Sequence, residues 1–143
     1  LFDMNIPPFL VAAVLNLAMA QRLVGKICPD CIESYKPSGA VAEIIKSQMK
    51  ELGAEGYIPP KEFYRGKGCS KCGHSGLRGR IGIFEAMNVD EEIRKYIASP
   101  NFSLDELRKL ARKRGMISMF EDGIRKVELG MTTVEEILRV IRE

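Results

Sequence analysis

The sequence predicts an α+β fold, mostly α, in which short strands surround two cysteine pairs and a helical bundle forms the C-terminal part. Three observations carry this expectation. The four cysteines fall in two C-x-x-C pairs, one amphipathic pattern lies between the pairs, and three apolar stripes at helical spacing follow residue 103. With 143 residues and 45% apolar content, the chain has the size and composition of an ordinary globular domain with a real core.

Taken in order, NIPPFLVAAVLNLAMAQRL offers Asn5 as a cap and prolines in the first turn, where a missing N–H costs little, and then stays apolar on most faces. It predicts a buried helix over about residues 7–20. QRLVGKIC alternates Leu23, Gly25 and Ile27 with polar positions, apart from Val24, and predicts a short strand delivering Cys28. After the loop YKPSGA, Val41, Ile44, Ile45, Met49 and Leu52 recur at helical spacing until LGAEGYIPP breaks the pattern with Gly and Pro. One amphipathic helix therefore separates the cysteine pairs, and neighbouring chain has to cover its stripe.

RIGIFEAM reads as a strand that runs into the capped helix start NVDEEIRKYIAS. Both SLDEL and TTVEE fit the capping box, in which a Ser or Thr hydroxyl and a Glu side chain each satisfy an orphaned N–H. Leu104, Leu107 and Leu110 form one stripe; Ile117, Phe120, Ile124 and Val127 a second; Val134, Ile137, Leu138 and Ile141 a third. No internal repeat or low-complexity segment interrupts them.

Charge and hydropathy narrow the function classes. A net charge of +3, from 22 basic and 19 acidic residues, gives little whole-molecule attraction to nucleic acid or lipid. FLVAAVLNLAMA is the longest apolar run, contains Asn16, and falls short of the roughly 20 residues a membrane-spanning helix needs. LFDMNIPP has no basic n-region of a signal peptide, so a cytosolic chain is expected. Because it begins at Leu1 without an initiating methionine, it is expected to be part of something longer.

In a reducing compartment, CPDC (Cys28 and Cys31) with CSKC (Cys69 and Cys72) reads as a tetrahedral four-thiolate zinc site before it reads as disulfides. Each C-x-x-C turn sets two sulfurs on one side of a tight loop, and Gly68 and Gly73 suit the bending around the second pair. Lys26, Lys67, Lys71, Arg78 and Arg80 can offset the negative charge of a zinc tetrathiolate. His74 is an alternative fourth ligand, although the thiolate set is complete without it. Reduced buried cysteines and a redox C-x-x-C are the competing readings, and two pairs suit neither. A closed four-ligand site leaves no place for water, so the zinc is expected to hold structure and not to hydrolyse. Residues 32–68 between the pairs are too many for a compact zinc ribbon.

No GxxxxGK[ST], GxSxG, HExxH or GxGxxG occurs, and a single histidine excludes most histidine dyads. The chain is not expected to be an enzyme by itself. The basic run LRKLARKRG (Arg108, Lys109, Arg112, Lys113, Arg114) has helical spacing and reads first as a solvated face, with docking to an acidic partner or nucleic acid as the alternative. Aromatics are not interleaved with it, so no stacking platform for single-stranded nucleic acid is expected.

Taken together, AQRLVGKICPDC, GCSKCGHSGLRGRIGIFEAM and EDGIRKVELGMTTVEEILRVIRE resemble the C-terminal part of the bacterial secretion ATPases, the motors of type II secretion and of type IV pilus assembly. The resemblance covers essentially the whole chain. It implies zinc on Cys28, Cys31, Cys69 and Cys72. It also implies an intact parent that is a homohexamer, uses ATP and Mg2+, and sits on the cytoplasmic side of the inner membrane through platform proteins, with no membrane insertion of its own. Residues 1–27 then correspond to the end of a RecA-like motor core, 28–88 to a tetracysteine zinc module with an inserted helix, and 89–143 to a C-terminal helical subdomain. Arg22, Arg78 and Arg80 match arginine-bearing motifs and suit contacts to a neighbouring subunit, a platform protein or a nucleotide, or local charge balance. Two departures stand out: Gly25, where an arginine is common, and Leu77, where an aromatic is usual. The alternative class is a free-standing structural zinc adaptor contacting protein or nucleic acid. The shared motifs do not separate type II secretion from pilus assembly.

Overall fold

Cap chemistry and apolar spacing set most of the helices. The computed structural model describes residues 6–141. The elements run α1 (Pro8–Val14), β1 (Leu17–Ile27), β2 (Ile32–Tyr35), α2 (Gly39–Glu51), β3 (Phe63–Gly66), β4 (Leu77–Asn88), α3 (Glu91–Ile97), α4 (Leu104–Lys113), α5 (Met119–Glu128) and α6 (Val134–Ile141), with a 3-10 turn at Ser70–Cys72. The fold is α+β as expected. β1 pairs with β4, and β2 pairs antiparallel with β3 in the register Ile32↔Gly66 to Tyr35↔Phe63. Among the described residues, no helix is long and apolar enough to cross a membrane.

The helix expected over 7–20 is corrected. Only Pro8–Val14 is helical, and Leu17–Ala20 already belongs to β1. The Arg94 guanidinium explains the stop: it donates to the carbonyls of Ala12 (2.7 Å) and Ala13 (3.2 Å) and to Asn16 Oδ1, which takes the last turn's orphan acceptors out of helix propagation. Nor is the helix buried on most faces, since only Val11 and Ala12 are buried while Phe9, Leu10 and Val14 are exposed. Asn5, read as a cap, lies outside the described residues.

Two compact units emerge. The first comprises residues 6–20 and Glu85–Ile117, the second Gln21–Phe84 and residues 118–141. Consequently α3 and α4 belong to the first unit and α5 and α6 to the second. The first unit has a small core in which Val11, Ala12, Val89, Ile93, Ile97 and Ala111 are buried, with Leu107 and Leu110 packed at its margin. Leu104, placed on the same stripe by its spacing, is instead 61% exposed.

The second unit holds the larger core. Val24, Ile45, Phe63, Ile83, Ile124, Val127, Val134 and Ile137 are all essentially inaccessible. At about 1.5–3 kcal/mol for each fully buried large aliphatic or Phe side chain, this cluster dominates the unit's stability. The stripe of α2 is covered here through Ile45 and Met49, with Val41 and Leu52 at the edge, while Ile44 stays exposed. Gly123 lets α5 approach α6, because a Cβ there would lie 2.9 Å from Ile137 carbons.

Candidate metal centre

The two small sheets explain how cysteines so far apart in sequence meet. β1 enters the first cysteine turn and β2 leaves it; β3 enters the second and β4 leaves it. Because β2 pairs with β3, the turns are brought side by side, and the ladder continues one step further through Lys67 N–H donating to the Cys31 carbonyl at 2.9 Å. Cys28 N–H donates to the Gly76 carbonyl at 2.9 Å, which ties the first turn to the chain leaving the second.

The glycines of GCSKCGHSG are dictated by this crossing. Gly68 has φ +90, and a Cβ on it would lie 2.6 Å from the His74 carbonyl oxygen. Gly66 and Gly76 approach so closely that a Cβ on either would overlap the backbone of the other. Gly73 and His74 both take left-handed φ, 59 and 63, which reverses the chain immediately after Cys72.

The four thiols gather into one cluster in which all ligand atoms lie within 4.8 Å of one another. The Sγ separations are 3.9 Å for Cys28–Cys69, 3.9 Å for Cys31–Cys72 and 3.7 Å for Cys69–Cys72. These are too long for disulfides. A tetrahedron with metal–sulfur bonds of about 2.3 Å has sulfur–sulfur edges of roughly 3.8 Å, so the donor set fits a tetrahedrally bound soft metal ion. His74 is not part of the cluster, and its side of the alternative is set aside.

The thiols differ in acidity. The Cys69 N–H, donating to Cys72 Sγ at 3.2 Å, lowers the Cys72 thiol to about 6. Burial raises Cys31 to about 12. A bound divalent cation would favour the thiolate at every corner.

Charged side chains ring the cluster. Asp30 pairs with Lys71 at 2.5 Å and with Arg78 at 3.0 Å, and Lys71, followed by Arg78, holds its carboxyl below the usual range. Glu33 pairs with Arg65 (3.0 Å) and Lys67 (3.1 Å). Sequence reasoning singled out Lys67, Lys71 and Arg78 but missed the acidic partners. The signal was present: Asp30 in CPDC and Lys71 in CSKC occupy equivalent positions with opposite charge.

The three arginines have different surroundings. Arg22 donates to the Val140 carbonyl in the last turn of α6, and Arg78 is held by Asp30. Arg80 is exposed on β4, and its side chain has no ion pair or hydrogen bond among the described residues. The positions of the two departures adjoin, since a Cβ on Gly25 would lie 2.9 Å from Leu77 Cδ1 and 2.9 Å from Glu136 Oε2. Glu136 accepts from Gly25 N–H at 2.6 Å, and Thr132 donates to the Gly25 carbonyl at 2.7 Å, so the backbone at Gly25 is locked to the start of α6.

Comparison with known proteins gives a consistent result. The sequence pattern of a family described as type II/IV secretion system protein matches residues 1–139. The chain is similar to the type II secretion system protein E of Pseudomonas aeruginosa, 41% identical over 143 residues that cover 100% of this chain and 26% of that protein. It is similar to the type II secretion system ATPase E of Vibrio cholerae, 37% identical over 141 residues, 99% of this chain and 26% of that protein. The type IV pilus assembly ATPase PilB of Thermus thermophilus is 37% identical over 137 residues, 95% of this chain and 14% of that protein. The chain thus spans about a quarter or less of the length of these curated relatives.

Proposed function

From the premise that the chain belongs to the type II/IV secretion system protein family, we propose that it is the zinc-binding C-terminal portion of a secretion or pilus-assembly ATPase. The observation that carries the metal part is the set of sulfur separations, 3.7 and 3.9 Å, which suits the edges of a zinc tetrathiolate. Cys28, Cys31, Cys69 and Cys72 would hold the ion, and with four protein ligands it would supply a cross-link and no reactive water. In this reading residues 1–27 end a RecA-like motor core, 28–88 form the tetracysteine module, and 89–143 form the C-terminal helical segment. The parent binds ATP and Mg2+, assembles as a cytoplasmic homohexamer, and reaches the inner membrane through platform proteins.

Of the three arginines, Arg80 is the best placed to act outside its own subunit, because Arg22 and Arg78 already have internal partners. Arg80→Ala in the full-length protein should leave zinc content and folding intact and lower the ATPase rate of the assembled form. An unchanged rate would remove Arg80 from that role.

Elemental analysis of protein grown without added zinc tests the metal reading. One zinc per chain is expected, with a thiolate-to-metal charge-transfer spectrum after exchange to Co2+. A chain without metal, or one whose Cys69→Ser and Cys72→Ser variant keeps the same stability, would overturn it.

A further inference from the structure

We infer that Asp30 is a positioning residue for the metal site: gripped by Lys71 of the opposite cysteine turn and by Arg78 of β4, it locks the tips of the two turns together and slows release of the bound ion. The inference rests on the zinc reading above.

Among the described residues, backbone hydrogen bonds join the two turns only at their bases, Cys28 to Gly76 and Lys67 to Cys31. Among the described residues no backbone hydrogen bond links the tips, Pro29–Asp30 and Ser70–Lys71. The side chains of Asp30 and Lys71 span that opening, and Arg78 takes the second carboxylate oxygen, Oδ2, while Lys71 takes Oδ1. Each oxygen therefore has its own cation, from a different part of the chain. For an ion to leave, all four thiolates, two on each turn, must let go, and separation of the turns opens the site for that. The paired carboxylate resists the separation.

The placement of Asp30 is otherwise unfavourable. Its Oδ2 lies 4.0 Å from Cys28 Sγ, so a carboxylate faces a sulfur that is anionic when metal is bound. Lys71 and Arg78 compensate that repulsion. The arrangement separates a lock from a general field effect through the pair of variants taken together. A field effect alone moves the hold on the ion in opposite directions for Asp30→Asn and Lys71→Met, since one removes an anion and the other a cation. A lock weakens it in both.

The test is the rate at which the zinc-loaded chain transfers its metal to an excess of a coloured pyridylazo chelator. Asp30→Asn, which keeps the side chain's shape, should speed transfer about 5–10-fold, and Lys71→Met and Arg78→Met about 2–3-fold each, in line with exposed ion pairs of modest strength. The Asp30→Asn, Lys71→Met double variant should be no faster than Asp30→Asn alone, because the lysine has already lost its partner. At about 1 M salt the differences should shrink towards unity as the pairs are screened. The Co2+ spectrum of each variant establishes that the four thiolates still bind. Slower transfer for Lys71→Met, or unchanged transfer for Asp30→Asn, overturns the lock while leaving the zinc reading in place. A wild-type chain that takes up no zinc overturns both.

Discussion

The two compact units achieve order by different means. The second, Gln21–Phe84 with residues 118–141, combines a large apolar core with a cysteine cluster that draws together turns separated by residues 32–68. The first, residues 6–20 with Glu85–Ile117, has a smaller core and depends on the Arg94 side chain to terminate α1. The difference teaches where metal dependence should be felt. A cross-link stabilises the long excursion it closes, and that excursion lies within the second unit.

The largest expected effect follows. Removing metal with a chelator under reducing conditions should destabilise the second unit by about 5 kcal/mol or more, since structural zinc supplies roughly 10–16 kcal/mol in small zinc-dependent peptides and the apolar core here offsets part of the loss. Hydrogen exchange should show protection falling around β2, β3 and α2 and persisting in α3. Equal loss in both units would break the contrast.

Next come the cores. Phe63→Ala in the second unit should cost about 3–5 kcal/mol and Ile93→Ala in the first about 2–5 kcal/mol, because both side chains are fully buried and leave cavities. Denaturant melts of the zinc-loaded chain measure the totals, and hydrogen exchange tells which unit opens. A Phe63→Ala variant that also releases zinc faster would show that core and cluster support each other.

A smaller effect is expected for Arg94→Met. It removes charge-assisted bonds to Ala12, Ala13 and Asn16 and should cost about 1–3 kcal/mol, read as lost protection in α1. Stability unchanged to within a few tenths of a kcal/mol would mean that solvent caps α1 equally well.

Much of this was legible in the sequence where the signal was local. The C-x-x-C pairs announced the cluster, and the stripe of α2 and those containing Phe120, Ile124, Val127, Val134 and Ile137 mark residues that are buried. The failure came at FLVAAVLNLAMA, which apart from Asn16 is apolar on most faces and so carries little period to separate helix from strand. What ends α1 there is an arginine far along the chain, and the pairing of β1 with β4 overrides the helical preference of Leu, Ala and Met. The clamp at Asp30 was only hinted at, by opposite charges at equivalent positions of CPDC and CSKC, because it is the fold that brings residues 30, 71 and 78 together.

The last contrast is between two serines with the same motif. SLDE at Ser103 and SMFE at Ser118 both fit the capping box, yet only the second forms it. Ser118 is buried, its hydroxyl accepts from Glu121 N–H at 3.3 Å, and Glu121 returns to accept from Ser118 N–H at 2.7 Å. At Ser103 the side chain makes no cap hydrogen bond, and the returning half of the box is already taken: the Ser103 N–H donates to the Tyr96 hydroxyl at 3.1 Å and Glu106 is paired with Lys109 at 2.7 Å. TTVEE forms half of one: Thr133 accepts from Glu136 N–H at 3.3 Å, while the Glu136 carboxylate is taken by Gly25 and Arg139. Ser118→Ala should therefore cost about 1 kcal/mol, and Ser103→Ala less than about 0.5 kcal/mol, in matched thermal melts. Equal losses would show that burial of the first turn, and not the reciprocal bonds, sets the value of the cap.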